Sequence, residues 1–156
     1  MSGRWVALFL IIFALLFGAA LWYFQTRAYY RTLPPEAVQI GVLDVDGMPI
    51  ALPVTEVRAI DATTSPLKFR ACFRVDAPPP YLPPDLPGYD RAEPLVAPGW
   101  FSCFDAESIA RDLAAGRATA FLGAREIASG ADRVLAIYPD GRGFAWHQLG
   151  EEFLEK

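Results

Sequence analysis

The chain opens on a pattern with no polar face. From Trp5 to Phe24, "WVALFLIIFALLFGAALWYF" runs for 20 residues without a charge. At about 1.5 Å of rise per residue, such a run reaches roughly 30 Å, the thickness of a bilayer's hydrocarbon core. Trp5 at one end and Trp22, Tyr23, Tyr29 and Tyr30 at the other are placed like aromatics that settle at the two membrane interfaces. A cleaved signal peptide is the competing reading, since Gly18–Ala20 would supply the small residues before its cut. "LWYF" follows directly, however, and carries the apolar run to spanning length. The expectation is a retained membrane anchor over residues 1–31, with Trp5, Gly18 and Phe24 along the span. Gly18, Ala19 and Ala20 offer a surface on which another helix can approach closely.

Past the anchor the period changes. Residues 32–37 read as a stiff linker, because Pro34 and Pro35 stop any continuing helix. "VQIGVLDVDGMPIALPV" (38–54) predicts two strands joined at Asp46-Gly47, a strong hairpin signal. In "SPLKFRACFRV" (65–75), Leu67, Phe69, Ala71 and Phe73 alternate with Lys68, Arg70, Cys72 and Arg74. That predicts a strand with one face on a core and one face in water. Residues 76–98 hold eight of the 14 prolines, so a long loop with polyproline-II stretches is expected there.

"DAESIARDLAAG" (105–116) predicts a helix. Asp105 is its N-cap, Ile109 and Leu113 are spaced four apart, and Gly116 lies just past its end. "ATAFLG" and "RVLAIYP" read as strands and "PDGRG" as a turn. "FAWHQL" is a final strand with Phe144, Trp146 and Gln148 opposite Ala145, His147 and Leu149. The fold class expected is α+β: one transmembrane helix, then a mainly antiparallel sheet domain over 38–156 with one packed helix and the Pro-rich loop.

Charge narrows the function classes. From Thr32 onward there are 11 Lys and Arg against 18 Asp and Glu, a net charge of −7. An acidic domain with no basic stripe argues against nucleic acid and against anionic lipid surfaces as partners. Nucleotide binding is excluded as well, because the glycines of "PDGRG" precede no helix and no Lys-Ser/Thr pair. His147 is the only histidine, whereas catalytic zinc needs several imidazoles or thiolates. No metal, cofactor or catalytic residue is therefore expected.

Cys72 and Cys103 are the only cysteines, and outside the cytoplasm a lone pair in a small domain is most simply a disulfide. Two buried free thiols, or a redox or copper-handling pair, are the alternatives. Tyr81, Trp100, Phe101, Tyr138, Trp146 and His147 are the candidates for a partner or ligand surface, since aromatics displayed beside prolines suit protein contact.

Three blocks, "RAIDATTSPLKFRACF", "EPLVAPGWFSCFDAE" and "YPDGRGFAWHQL", resemble a family of short alphaproteobacterial proteins of unknown function. These have one N-terminal membrane segment and a compact domain. Some members carry a histidine-kinase label, but His147 sits on a strand pattern rather than on a dimerisation helix. The resemblance implies a single-pass protein of a bacterial inner membrane.

Arg4 and the α-amino group flank one end of the apolar run, and Arg27 and Arg31 the other. The short N-terminal flank and the acidic, cysteine-bearing domain put the N-terminus in the cytoplasm and the domain in the periplasm. The expected function is a non-catalytic accessory, assembly or interaction protein of an inner-membrane complex, with the lipid bilayer and a membrane protein as partners. A periplasmic small-molecule or pH sensing module is the alternative.

Overall fold

The computed structural model describes residues 2–76, 82–83 and 85–154, which form two compact units divided between Tyr30 and Arg31. Tyr81 and part of the Pro-rich loop lie outside the described residues.

In the first unit, helix α1 (Gly3–Tyr23) runs on into a widened π turn over Phe24–Ala28. The Thr26 hydroxyl donates to the Trp22 carbonyl at 2.7 Å in that turn. The helix is long and apolar enough to cross a membrane, and no residue on it is buried. A helix that is apolar on every side has no face suited to water.

The second unit is built on a six-stranded sheet in the order β1-β4-β5-β8-β7-β6. The strands are β1 (Tyr30–Leu33), β4 (Val54–Ala62), β5 (Arg70–Val75), β6 (Thr119–Ala128), β7 (Ala131–Ile137) and β8 (Arg142–Leu149). Neighbours from β4 through to β6 pair antiparallel. A separate hairpin joins β2 (Gly41–Leu43) to β3 (Pro49–Ala51). Helix α2 (Ala106–Ala114) and a short terminal α3 (Glu151–Leu154) complete the order. The expected α+β architecture is present.

The hairpin forms where the Asp-Gly pair predicts it. The Asp44 carboxylate accepts from the N–H groups of Asp46 (3.0 Å) and Met48 (2.8 Å), and Gly47 sits at φ +76°, a conformation cheap only for glycine. The helix also forms as its ends predict. Asp105 Oδ1 accepts from the Ser108 N–H at 3.0 Å, and Gly116 takes φ +68°. Replacing Asp105 with alanine leaves that donor uncapped and is expected to cost about 1 kcal/mol, readable as a shift in denaturant midpoint.

Three parts of the architecture differ from the sequence pattern. Strand β4 was not anticipated, because a bulge shifts its register between Thr55 and Arg58 and destroys the period-two signal. Tyr30–Leu33, at the junction of anchor and linker, is an edge strand of the sheet. The water-facing side expected of residues 65–75 is also corrected. Pro66–Lys68 is a 3-10 turn, so the strand starts at Arg70. Arg70 and Cys72 are buried (4% and 7% exposed), and only Arg74 is exposed.

The reason is that both faces of the sheet are covered. On one face Phe69, Ala71, Phe73, Leu135, Ile137 and Ala145 pack with Val38, Ile40 and Val42 from the hairpin arm. On the other, Arg70 is drawn under the Pro-rich segment. Its guanidinium donates to the carbonyls of Leu95 (2.7 Å) and Val96 (3.1 Å), and to those of Leu67 (2.7 Å) and Phe69 (2.6 Å). Four acceptors replace the water that a buried cation would otherwise lack.

Candidate functional site

Strand β8 carries two of the residues that the sequence nominates, Trp146 and His147, and its pleat separates them. Successive side chains on a strand point to opposite faces, so Trp146 and His147 lie on opposite sides of the sheet. No single pocket holds both.

His147 lies on the face of the Phe69 core. It is 6% exposed and stacks on the Phe69 ring at 4.5 Å. The tautomer that satisfies both its neighbours has the proton on Nδ1. That N–H donates to the Pro66 carbonyl at 2.7 Å, while Nε2 accepts from Arg133 Nε at 3.0 Å. Arg133 reaches the Gln39 carbonyl at 3.1 Å, with its guanidinium 4.5 Å from the Phe69 ring centroid. Burial, reinforced by the Arg133 charge, lowers the His147 pKa to about 4 against the opposing pull of the Pro66 carbonyl and Asp61. Burial likewise pushes the Arg133 guanidinium down.

Trp146 is wholly buried on the other face. Its indole N–H donates to Gln148 Oε1 at 2.9 Å. The same oxygen accepts from the Glu93 N–H at 2.8 Å, and Gln148 Nε2 donates to the Arg91 carbonyl at 2.8 Å. This one amide ties the Pro-rich segment to the sheet. Replacing Gln148 with leucine would strand three polar partners and is expected to cost about 2 kcal/mol, measurable by urea unfolding.

Beside it, Phe104 stands edge-on to Phe144 (5.9 Å) and Trp146 (6.3 Å). Tyr138 stands edge-on to Phe144 (5.7 Å) and donates its hydroxyl to Asp112 Oδ2 on α2 at 2.7 Å. Burial, and then that hydrogen bond, raise the Tyr138 pKa. Donation from Tyr138 and Arg117 holds the Asp112 carboxyl low.

Trp100 and Phe101 sit on a turn closed by the Phe101 N–H donating to the Pro98 carbonyl at 2.8 Å. Two residues on, Cys103 is joined to Cys72 on β5, with Cα atoms 6.4 Å apart across 31 positions. The half-buried Trp100 ring meets Phe101 edge-on at 6.2 Å and helps line a pocket of about 310 Å³ with Leu33, Pro35, Val57 and Arg58. A neighbouring cavity of about 260 Å³ runs over the disulfide and is bordered by Glu56, Arg58, Arg74 and Arg142. A third groove, of about 400 Å³, lies between α2 and the start of β6.

The arginines were not nominated from the sequence. Arg74 read as one of several solvated charges, and Arg58 lay in a strand that the bulge concealed. Among the described residues no group of three or more His, Cys, Asp or Glu side chains is placed to hold a metal ion.

Fold and site define a disulfide-bonded antiparallel sheet domain that follows a helix of membrane-crossing length. The model of a family of unknown function, DUF6446, matches residues 39–154, and the chain belongs to that family. No curated protein and no solved structure matches it.

Proposed function

We propose that this chain is a non-catalytic accessory or assembly protein of a bacterial inner-membrane complex. In this reading α1 is retained as a single span, the N-terminus is cytoplasmic and the sheet domain is periplasmic. The resemblance to alphaproteobacterial single-pass proteins supports the membrane assigned, and the disulfide supports an oxidising compartment.

One observation carries the non-catalytic reading: the groups that the sequence nominates for chemistry are engaged in holding the fold. His147 is held between Pro66 and Arg133, Tyr138 clamps α2, and both cysteines are spent on a cross-link. A histidine whose pKa lies near 4 also weighs against pH sensing close to neutrality.

Apolar side chains left outside the core support a contact role. Val96 on the loop is 81% exposed, and Val45 and Met48 at the hairpin tip are 65% and 62% exposed. Mild detergent extraction of the tagged full chain is expected to bring down a membrane protein in stoichiometric amount, and Val96→Asp with Met48→Asp to reduce that recovery. A clean monomer under the same extraction would contradict the proposal.

A further inference from the structure

We propose that the pocket beside Trp100 and the arginines flanking it hold one anionic phospholipid, with an acyl chain in the apolar part and the phosphate at the arginines. The inference rests on the reading of α1 as a retained span.

The lining has the two chemistries of an amphiphile. Leu33, Pro35, Val57, Trp100 and Phe101 make an apolar slot, with Arg58 in its wall. Arg58 also borders the cavity shared with Arg74 and Arg142, so the apolar and cationic spaces meet at one side chain. Arg142 is already held by Asp140 at 2.7 Å, and Arg74 donates to the Asp140 carbonyl at 3.1 Å. The exposed Arg58 guanidinium makes no hydrogen bond or ion pair among the described residues.

Three guanidinium groups against the carboxylates of Glu56 and Asp140 leave one positive charge, the complement of a phosphodiester. Arg74 and Arg142 face each other directly in the β5–β8 register, where like charges disfavour the pairing and an anion relieves it. The net charge of −7 beyond Thr32 opposes adsorption over a broad anionic surface, which confines recognition to a single headgroup at this spot.

The backbone adds an independent sign. Consecutive residues of a regular strand face opposite sides, yet Val57 and Arg58 line the same pocket. The bulge that permits this holds Glu56 at φ +52°, a conformation costly for any residue but glycine or asparagine. Bulges of this kind re-aim side chains beside binding sites.

The test uses the full chain in vesicles of phosphatidylcholine, with or without phosphatidylglycerol. Bromine on the acyl chains of one lipid at a time quenches nearby tryptophans. Trp5 and Trp22 report on the helix, and wholly buried Trp146 is the unquenched reference. A variant with Trp5→Phe and Trp22→Phe isolates Trp100. Brominated phosphatidylglycerol is expected to quench Trp100 more strongly than brominated phosphatidylcholine at equal mole fraction. Arg58→Gln should reduce that preference about fivefold, the effect of one charge contact with an anionic lipid.

Strong quenching of Trp5 and Trp22 with none at Trp100 would overturn the lipid site and leave the anchor standing. No quenching at any of the three would remove both readings. Equal quenching of Trp100 by the two lipids, unchanged by Arg58→Gln, would overturn the anionic headgroup assignment. Loss of Trp100 quenching on adding a co-purified membrane protein, with no lipid preference before it is added, would assign the pocket to that protein instead.

Discussion

Replacing both Cys72 and Cys103 with serine is expected to destabilise the sheet domain by about 3–4 kcal/mol, the loop-closure entropy released when a cross-link spanning 31 positions is lost. The closed loop contains the whole Pro-rich segment, which has neither helix nor strand among its described residues. Besides the bond, Leu82 and Leu86 pack on the core, the Tyr89 N–H donates to the Ala120 carbonyl at 2.9 Å, and two side chains make further polar contacts. Gln148 grips Arg91 and Glu93, and Arg70 grips Leu95 and Val96. With the bond gone, those contacts must order the loop alone, at a cost in chain entropy for every residue fixed.

Equilibrium unfolding in urea, with and without reductant, checks this. The unmodified protein should lose stability on reduction by the amount that separates it from the double-serine variant, and the variant should ignore the reductant. Equal midpoints for all samples would show that the cross-link does not constrain the unfolded chain.

Acidification from pH 6.5 to pH 4 is expected to cost roughly 3 kcal/mol through His147 alone. Its pKa is about 6.5 in an unfolded chain and about 4 in the fold, burial being the largest cause. Well above pH 6.5 the imidazole is neutral in both states and its contribution is complete. As pH falls below that value the unfolded chain takes up a proton that the native state refuses, so stability drops until the native imidazole also protonates near pH 4.

Burial fixes the direction, and the neighbouring charges adjust it. Arg133 and Arg70 oppose a second positive charge, while the Pro66 carbonyl and Asp61 favour it and are outweighed. Once protonated, Nε2 no longer accepts from Arg133. The difference in unfolding free energy between the unmodified protein and His147→Gln, followed against pH, isolates this term from the carboxylates, which titrate in both. A difference that stays flat from pH 7 to pH 4 would show the ring to be accessible to protons in the fold.

Much of the domain was legible because local chemistry and tertiary structure agree. Asp46-Gly47 is a hairpin turn, Asp105 and Gly116 bracket a helix, and residues 144–149 alternate as a strand whose two sides are both real. Alternation failed where the sheet departs from regular pairing. Glu56 breaks β4 with a bulge, and register shifts around Ala124 hide the second half of β6.

Burial failed at Arg70 for a different reason. Its side chain reads as polar, and nothing local says that carbonyls some 25 positions away will close over it. The nominated surface was split by the same long-range facts. Period-two geometry alone puts Trp146 and His147 apart, but only the folded loop turns Trp146 and Gln148 into a clamp. Arg58 gains its place beside Trp100 from the bulge, a backbone event that residue types do not encode.

The central claim is a chain that keeps its apolar helix and carries its two cysteines as one bond. Intact mass measurement on the membrane fraction, after alkylation in denaturant without reductant, tests both parts in one spectrum. The account predicts a mass that includes residues 3–28 and no alkyl adduct. A mass beginning beyond Ala20, or one bearing two adducts, would contradict it.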